Sequence, residues 1–302
     1  MKFSTPKLPY FYYGLLFLML FSACSSKTYV TRSRLMMGHV PVNITVKTKS
    51  EHQDLAIQTM DAAYKKAEEI ESKLSEYNPS SEISCLNQKA GKAFCDLSPE
   101  TVTLIRLGQE INAKTEGAFD IRFTSKSPQG RKGMILLLVN EGKLTNSQTR
   151  IGIASLAKGY ILDRMIEMIQ SKGFDAIIDA GGDIRAQGGP WKVAIQIPNL
   201  DYGKNTNAFE IANQALTTSG NYENKNNVIN PENGQAVEDK SSVSVIANTA
   251  TLANALSTAF YVLGEVKSAK LFKQFSGIEM IWADSQGTLR YYCADGNCPQ
   301  RK

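Results

Sequence analysis

The chain comprises 302 residues, of which 42% are hydrophobic and 21% are charged, and it carries a formal net charge of +5 at pH 7. Glycine and proline occur at ordinary frequencies, so the composition excludes a collagen-like repeat or a wholly disordered chain. The length suffices to bury a sizeable core. The basic residues are spread along the chain rather than gathered in one arm, which argues against a nucleic-acid-binding protein.

The N-terminal segment has the features of an export signal. Lys2 and Lys7 precede an apolar run over residues 10–23, which is too short to cross the ~30 Å core of a bilayer as a helix. Small residues lead up to Cys24, and this order resembles a bacterial lipoprotein cleavage box. It predicts a signal peptide over residues 1–23 and a lipidated Cys24 that anchors the mature chain to a membrane of the bacterial cell envelope, facing the periplasm or the exterior. The alternative is an N-terminal membrane anchor with a free Cys24 thiol.

Strand and helix patterns alternate along the rest of the chain. Residues 24–35 are polar and basic and are predicted to be a tether, and residues 36–302 are predicted to be one two-lobed α+β domain with mixed or antiparallel sheets and flanking helices. Apolar residues at helical spacing predict helices over 55–74, 99–115, 154–172, 251–263 and 268–275. Ser98 is the expected N-cap of the second helix, ahead of Pro99. Apolar runs and alternation predict strands over 40–46, 135–139, 176–180, 192–197, 209–212, 242–246, 278–283 and 289–292.

Four further cysteines remain in the predicted mature chain. Cys293 and Cys298 bracket a turn-forming Ala-Asp-Gly-Asn stretch, and Cys85 and Cys95 bracket a segment that contains glycine. An oxidising compartment favours disulfides. Structural disulfides or free thiols are therefore expected rather than a zinc site, because neither spacing is that of a zinc knuckle and the chain has only two histidines.

Polar clusters that contain glycine fall where the predicted strands and helices end, which is where small-ligand sites gather. Each is weak by itself, since a Gly-Gly or Ser-Gly pair is usually a turn. Their order along residues 36–283 nevertheless resembles the FAD:protein FMN transferase family, the ApbE-like flavin transferases. The matching pieces are Met37-Gly38, the block over 75–87, Gly117-Ala118-Phe119-Asp120, Ala157-Lys158-Gly159-Tyr160 with Asp163-Arg164, Ala180-Gly181-Gly182-Asp183-Ile184-Arg185, Thr218-Ser219-Gly220 and Ala255-Leu256-Ser257-Thr258.

The resemblance implies an enzyme that binds FAD and Mg²⁺ and transfers the FMN moiety to a Thr or Ser hydroxyl of an exported acceptor protein, with release of AMP. It implies that FAD is contacted by Met37, Tyr77, Ala118, Phe119, Asp120, Lys158, Asp183 and Ile229. It implies that the cation is held by the backbone oxygen of Ser155 and the side chains of Asn254 and Thr258. Lys158, Asn227 and Asn254 stand at the positions where the family has catalytic groups. A hard cation on oxygen ligands suits the cleavage of a pyrophosphate, on which negative charge develops.

Some positions depart from the family pattern. The family carries Asp where this chain has Asn254, and it carries His and Asp where this chain has Asn227 and Asn230. Gly152 stands where the family often has Asp. An amide adds no charge to a cation site and cannot act as a base, so Mg²⁺ is expected to bind more weakly. Two alternatives to the transferase therefore stay open: a flavin-binding protein that has lost transfer, and a metal-dependent FAD pyrophosphatase.

Overall fold

The computed structural model describes residues 27–195, 197, 208–221, 228–293 and 298. The strands, in chain order, are β1 (Lys27–Met36), β2 (Val40–Lys49), β3 (Cys95–Asp96), β4 (Ile135–Leu137), β5 (Glu141–Leu144), β6 (Asp175–Ala180), β7 (Asp183–Gln187), β8 (Trp191–Ala194), β9 (Ala208–Ile211), β10 (Ala215–Gly220), β11 (Ser242–Ala247), β12 (Glu279–Ala283) and β13 (Leu289–Cys293). The helices are α1 (Gln53–Leu74), α2 (Glu82–Gln88), α3 (Pro99–Lys114), α4 (Pro128–Arg131), α5 (Ala154–Gln170), α6 (Ala250–Leu263) and α7 (Glu265–Leu271).

An eight-stranded sheet forms the centre of the molecule, with the strand order β1-β2-β6-β7-β10-β11-β12-β13. A three-stranded sheet, β3-β5-β4, and a two-stranded sheet, β8-β9, accompany it. Every pairing among the described strands is antiparallel. The predicted α+β class with antiparallel sheets and flanking helices is therefore confirmed.

Two hydrophobic clusters lie on opposite faces of the large sheet. The larger one buries apolar side chains of α1, α5 and α6 against β2, β6 and β11. The smaller one packs β8 and β9 against the other face, where Ile184 of β7, Leu216 of β10 and Ile246 of β11 are buried. Strand β11 is buried along its whole length because it has neighbours on both faces, as a strand rich in Val and Ile requires.

The long helices follow from their apolar periodicity and their caps. In α1 the buried positions include Ala56, Met60 and Ala63, which recur at helical spacing along one face. At the start of α3, the Ser98 hydroxyl accepts a hydrogen bond from the Thr101 N–H (3.5 Å), and Pro99 takes the first helical position. Both features agree with the sequence prediction.

The predicted tether over residues 24–35 is wrong for most of its length. Lys27–Met36 is strand β1, which pairs with β2 at every residue. Polar side chains are compatible with this because β1 is an edge strand, held by backbone hydrogen bonds, and its Val30 packs against the core. The last predicted helix, 268–275, is also displaced: α7 begins at Glu265, directly after Gly264, whose φ of 73° ends α6.

Two disulfides join the four cysteines of the predicted mature chain, Cys85 to Cys95 and Cys293 to Cys298. No helix in the described part of the chain is both long enough and apolar enough to cross a bilayer. The signal peptide and the lipidated Cys24 lie outside the described residues and stay predictions.

Candidate functional site

Three adjoining cavities form one groove across the described molecule. The apolar cavity, about 450 Å³, is lined by Met37, Leu74, Tyr77, Ile153 and Ile161 among others. The central cavity, about 150 Å³, shares Ala154 and Lys158 with the apolar cavity. The outer cavity, about 500 Å³, shares Ala118, Asp120 and Pro231 with the central cavity. A long ligand with chemically different parts could therefore lie along the groove.

The hairpin between β6 and β7 delivers Asp183 to the central cavity. Ala180 pairs with Asp183, so the loop consists of Gly181 and Gly182, whose φ values are 65° and 92°. A two-residue loop with positive φ at both positions strongly favours glycine. The Gly182 N–H donates to Asp179 Oδ1 at 2.9 Å. The glycine pair is thus a turn, as such pairs usually are, but it also fixes where the Asp183 carboxylate emerges.

Helices α5 and α6 cross closely above this hairpin. A Cβ atom at Gly159 of α5 would collide with the Ala250 carbonyl at the start of α6, so only glycine allows this approach. One turn further along α5, the buried Asp163 carboxylate accepts hydrogen bonds from the N–H groups of Ala250 and Thr251, both at 2.9 Å, and from the Thr251 hydroxyl at 2.6 Å. It also pairs with Arg185 of β7 at 3.0 Å. Asp163 therefore fixes the N-terminus of α6 relative to α5 and the sheet.

Three side chains from three elements meet in the central cavity. Asp183 Oδ2 lies 2.8 Å from Lys158 Nζ of α5 and accepts a hydrogen bond of 2.9 Å from Asn254 Nδ2 of α6. The side chain of Asp183 is only 6% exposed, whereas that of Lys158 is 38% exposed and reaches the groove. Because Nδ2 donates to Asp183, the acceptor left on the Asn254 amide is Oδ1. We call these three residues the central triad.

Strand β10 adds hydroxyl groups to the same cavity. The Thr218 hydroxyl is hydrogen-bonded to the Ser244 hydroxyl of β11 at 2.7 Å. The Ser219 hydroxyl is hydrogen-bonded to the Ser257 hydroxyl of α6 at 2.8 Å. The Thr217 hydroxyl is different: it is buried, lines the central cavity and has no hydrogen-bond partner in the described structure. An unsatisfied buried hydroxyl costs free energy. We take it as a group that a ligand of the cavity could satisfy.

The apolar cavity combines an exposed aromatic ring with a half-buried carboxyl group. Tyr77 is 87% exposed at the rim, as a ring available for stacking would be. Burial raises the pKa of Glu76 above its usual value, and a hydrogen bond with the Tyr77 side chain opposes the shift only partly. A Cβ atom at Gly152 would lie 2.5 Å from Glu76 Oε2. The Glu76 carboxyl therefore occupies the space beside Gly152 that a side chain there would need.

The outer cavity has polar walls. Asp120, which it shares with the central cavity, is held by a bidentate pair with Arg122, in which Nη2 lies 2.7 Å from Asp120 Oδ2. Asn230 lines this cavity, and its Oδ1 accepts a hydrogen bond from the Glu232 N–H at 2.9 Å. This bond forms the turn in which Asn230 lies.

The structure brings together the residues that the sequence nominated, as far as it describes them. Met37 and Tyr77 line the apolar cavity. The central cavity is lined by Ala118, Phe119, Asp120, Ser155, Lys158, Asp183, Ile229, Asn254 and Thr258. Asn227 and Cys24 lie outside the described residues. No cluster of three or more His, Cys, Asp or Glu side chains suited to a metal occurs in the described residues.

Sequence reasoning gave no individual role to three residues of this region, although they lie within or beside the matching motifs. Asp163 acts on backbone groups that follow it by 87 and 88 residues, so no local pattern could reveal its role. Thr217 precedes a matched motif, but only the structure distinguishes its unpaired hydroxyl from the paired Thr218 hydroxyl. Glu76 lies inside the block over 75–87 that matches the family, yet nothing in the sequence marks its burial.

Comparison with known proteins supports the family resemblance that the order of motifs indicates. The model of the ApbE family matches residues 37–127 and 129–282. The chain is 25% identical over 237 residues to the FAD:protein FMN transferase of Vibrio cholerae, covering 66% of this chain and 71% of that protein. It is 26% identical over 274 residues to the FAD:protein FMN transferase of Haemophilus influenzae, covering 76% of this chain and 77% of that protein.

Solved structures share the fold. The flavin transferase ApbE from Vibrio cholerae matches with a TM-score of 0.76 at 20% sequence identity, covering 89% of this chain and 98% of that chain. The ApbE protein from Thermotoga maritima matches with a TM-score of 0.76 at 22% identity, covering 88% of this chain and 97% of that chain.

Proposed function

Because this chain belongs to the ApbE family, we propose that it transfers the FMN moiety of FAD to a threonine or serine hydroxyl of another protein. The acceptor oxygen forms a bond to the phosphorus of the FMN half, and the bond between that phosphorus and the bridging oxygen breaks. AMP leaves with the bridging oxygen, and the hydroxyl proton passes to solvent. The products are an FMN phosphoester on the acceptor and AMP.

The observation that carries this proposal is the division of the groove into three chemically distinct cavities. The apolar cavity beside Tyr77 suits a flat ring system. The central cavity, with the Lys158 ammonium group, suits a pyrophosphate, and the outer cavity leaves room for a nucleoside. FAD has these three parts in this order.

Among the described residues that line the central cavity, Lys158 is the one with a cationic side chain. Its pairing with Asp183 holds the ammonium group on the cavity wall. There it can donate to the pyrophosphate oxygens and stabilise the negative charge that grows on the leaving AMP. The fixed α5–α6 crossing at Gly159 keeps this group in place, so little reorganisation is needed during the transfer.

The donor set fits a hard divalent cation such as Mg²⁺, since it consists of oxygen atoms, and the residue with the unpaired hydroxyl, Thr217, lines the same cavity. The Ser155 carbonyl, Asn254 Oδ1 and the Thr258 hydroxyl would hold the ion. When bound, the cation draws negative charge from the pyrophosphate oxygens. These donors are uncharged, which favours weaker binding than a carboxylate would give.

The same proposal extends to location. The lipoprotein-like segment ending at Cys24 supports an enzyme anchored to a membrane of the cell envelope, whose acceptor is an exported protein. Labelling with a palmitate analogue tests this: Cys24→Ser should abolish incorporation, and persistent labelling of that variant would contradict the anchor.

The activity is tested by incubating the protein with FAD, Mg²⁺ and an acceptor domain and measuring the intact mass of the acceptor. The expected result is a mass increase of one FMN group together with release of AMP. Lys158→Met should slow the transfer by at least about tenfold, whereas Lys126→Met, an exposed lysine outside the three cavities, serves as the matched control.

Other outcomes of this experiment identify the alternatives. Release of FMN and AMP without a mass change on any acceptor would replace the transferase by a pyrophosphatase. FAD binding without either product would leave a flavin-binding protein.

A further inference from the structure

The charges of the central cavity are already balanced within the protein. Among the described residues that line it, the charged ones are Asp120, Lys158 and Asp183. Asp120 is neutralised by its bidentate pair with Arg122, and Asp183 by Lys158. Each carboxylate that lines the central cavity in the described structure therefore has a positively charged partner.

The neutral Asn254 side chain contacts Asp183 without adding a charge that a cation would have to compensate. Its amide group donates a hydrogen bond to the same oxygen, Asp183 Oδ2, that faces Lys158. Two carboxylates at that distance would repel each other unless a cation lay between them. An amide instead bonds to Asp183 directly, so the central triad is stable as a neutral hydrogen-bonded unit.

A divalent cation gains little from such a site. Mg²⁺ gives up its hydration water reluctantly and is usually held by one or two carboxylates together with the phosphates of a substrate. Here the nominated ligands Ser155, Asn254 and Thr258 offer neutral oxygen atoms, both carboxylates of the cavity already pair with a cationic side chain, and the nearby ammonium group of Lys158 repels a second positive charge. The negative charge that attracts the ion has to come from elsewhere.

We propose that the cation is not resident in this protein but enters the cavity together with FAD, whose pyrophosphate supplies the charge that the central triad lacks. This inference rests on the proposed function, because it takes FAD as the ligand of the groove. The substrate is then the metal complex of FAD, and binding of the cation and of FAD is strongly coupled.

The test measures Mn²⁺ binding to the protein by electron paramagnetic resonance, with and without FAD. Without FAD, the wild type should leave Mn²⁺ free at concentrations that saturate Asn254→Asp. With FAD, wild type should bind Mn²⁺, and Mn²⁺ should tighten FAD binding by at least about tenfold. Flavin fluorescence quenching measures the second quantity independently of any transfer.

Two further variants show whether Mn²⁺ binding depends on the net charge of the central cavity rather than on the particular substitution at Asn254. Lys158→Gln leaves Asp183 without its cation, so it should also bind Mn²⁺ in the absence of FAD, through a different change of charge. Asn233→Asp is the matched control: it adds the same charge in an exposed turn, where the Asn233 Oδ1 acceptor of the Gln235 N–H is retained. This control should bind Mn²⁺ no better than wild type.

The outcomes separate this inference from the proposed function. If wild type binds Mn²⁺ without FAD as tightly as Asn254→Asp, the coupled entry is wrong even when FMN transfer is observed. If FAD does not bind at any Mn²⁺ concentration, the proposed function itself fails. Thermal unfolding of each variant shows whether a loss of binding reflects a loss of folding.

Discussion

Two buried aspartates on either side of the α5–β7 contact have similar surroundings but different relations to the groove. Asp163 is 5% exposed and Asp183 is 6% exposed, and each pairs with a cationic side chain and makes hydrogen bonds to α6. The Asp163 carboxylate accepts from four donors, shared between its two oxygens. Asp183 receives both of its side-chain donors on Oδ2 and lines the central cavity.

The difference shows what distinguishes a structural carboxylate from one available to a ligand. A buried charge whose hydrogen-bonding capacity is used within the protein stabilises one arrangement of helices. A buried charge beside a cavity, with an unsatisfied hydroxyl nearby, leaves interactions for an incoming molecule. Burial alone therefore does not separate the two aspartates; the distribution of donors over their carboxylate oxygens and the adjoining cavity do.

Substitution of Asp163 should have the largest effect on stability. Asp163→Asn removes the charge paired with Arg185 and turns an amide group toward N–H donors of α6, so buried donors lose their acceptor. We expect a loss of about 3 kcal/mol in the free energy of unfolding, measured by urea denaturation. The control Asp61→Asn removes an ion pair with Arg34 in which Asp61 is 40% exposed, and it should cost less than about 1 kcal/mol. Equal effects of the two variants would show that the Asp163 network does not hold α6.

Substitution of Asp183 should affect ligand binding more than folding. Asp183→Asn keeps the shape of the side chain, and Lys158 can turn toward solvent, so the cost in unfolding free energy should be about 1 kcal/mol. The cavity gains a net positive charge. FAD binding without Mg²⁺ should therefore tighten by about tenfold, measured by fluorescence quenching. A stability loss as large as that of Asp163→Asn would erase the contrast between the two aspartates.

A third carboxyl group, Glu76, should show the smallest effect, and only at high pH. Burial raises its pKa in the folded protein, so the folded state loses stability as pH rises from the pKa of the unfolded chain through the folded value. Glu76→Gln removes this penalty. The variant should match the wild type near pH 4 and be more stable, by less than about 1 kcal/mol, near pH 8 in thermal unfolding. A stabilisation that does not change with pH would point to packing beside Gly152 instead.

The sequence predicted those parts of the fold that depend on local patterns. Apolar periodicity placed α1 and α5 within a few residues of their observed bounds, and the cap at Ser98 was correctly assigned. Strand β1 was missed because its side chains are mostly polar. Its structure depends on backbone pairing with β2, and side-chain pattern carries little information about that.

The candidate site could be predicted as a set of residues but not as a geometry. The order of motifs nominated Lys158, Asp183 and Asn254, and the structure brings the three together. Lys158 and Asn254 share one partner atom, Asp183 Oδ2, and the balance of charge follows from this contact. The contact depends on how α5 and α6 are placed relative to each other and to β7. That placement is controlled by Gly159 and Asp163, whose partners lie far away in the sequence.

The early start of β1 has a consequence for the predicted lipid anchor: it would limit how far the domain can move from the membrane. If Cys24 carries the predicted lipid, only the link from Cys24 to Lys27 separates the membrane surface from the first residue of the sheet, a reach of roughly 10 Å even when fully extended. Such a short link would not let the groove reach positions far from the bilayer surface. Acceptor hydroxyls would then have to be presented close to the membrane, by proteins that are themselves attached to it or that come to its surface.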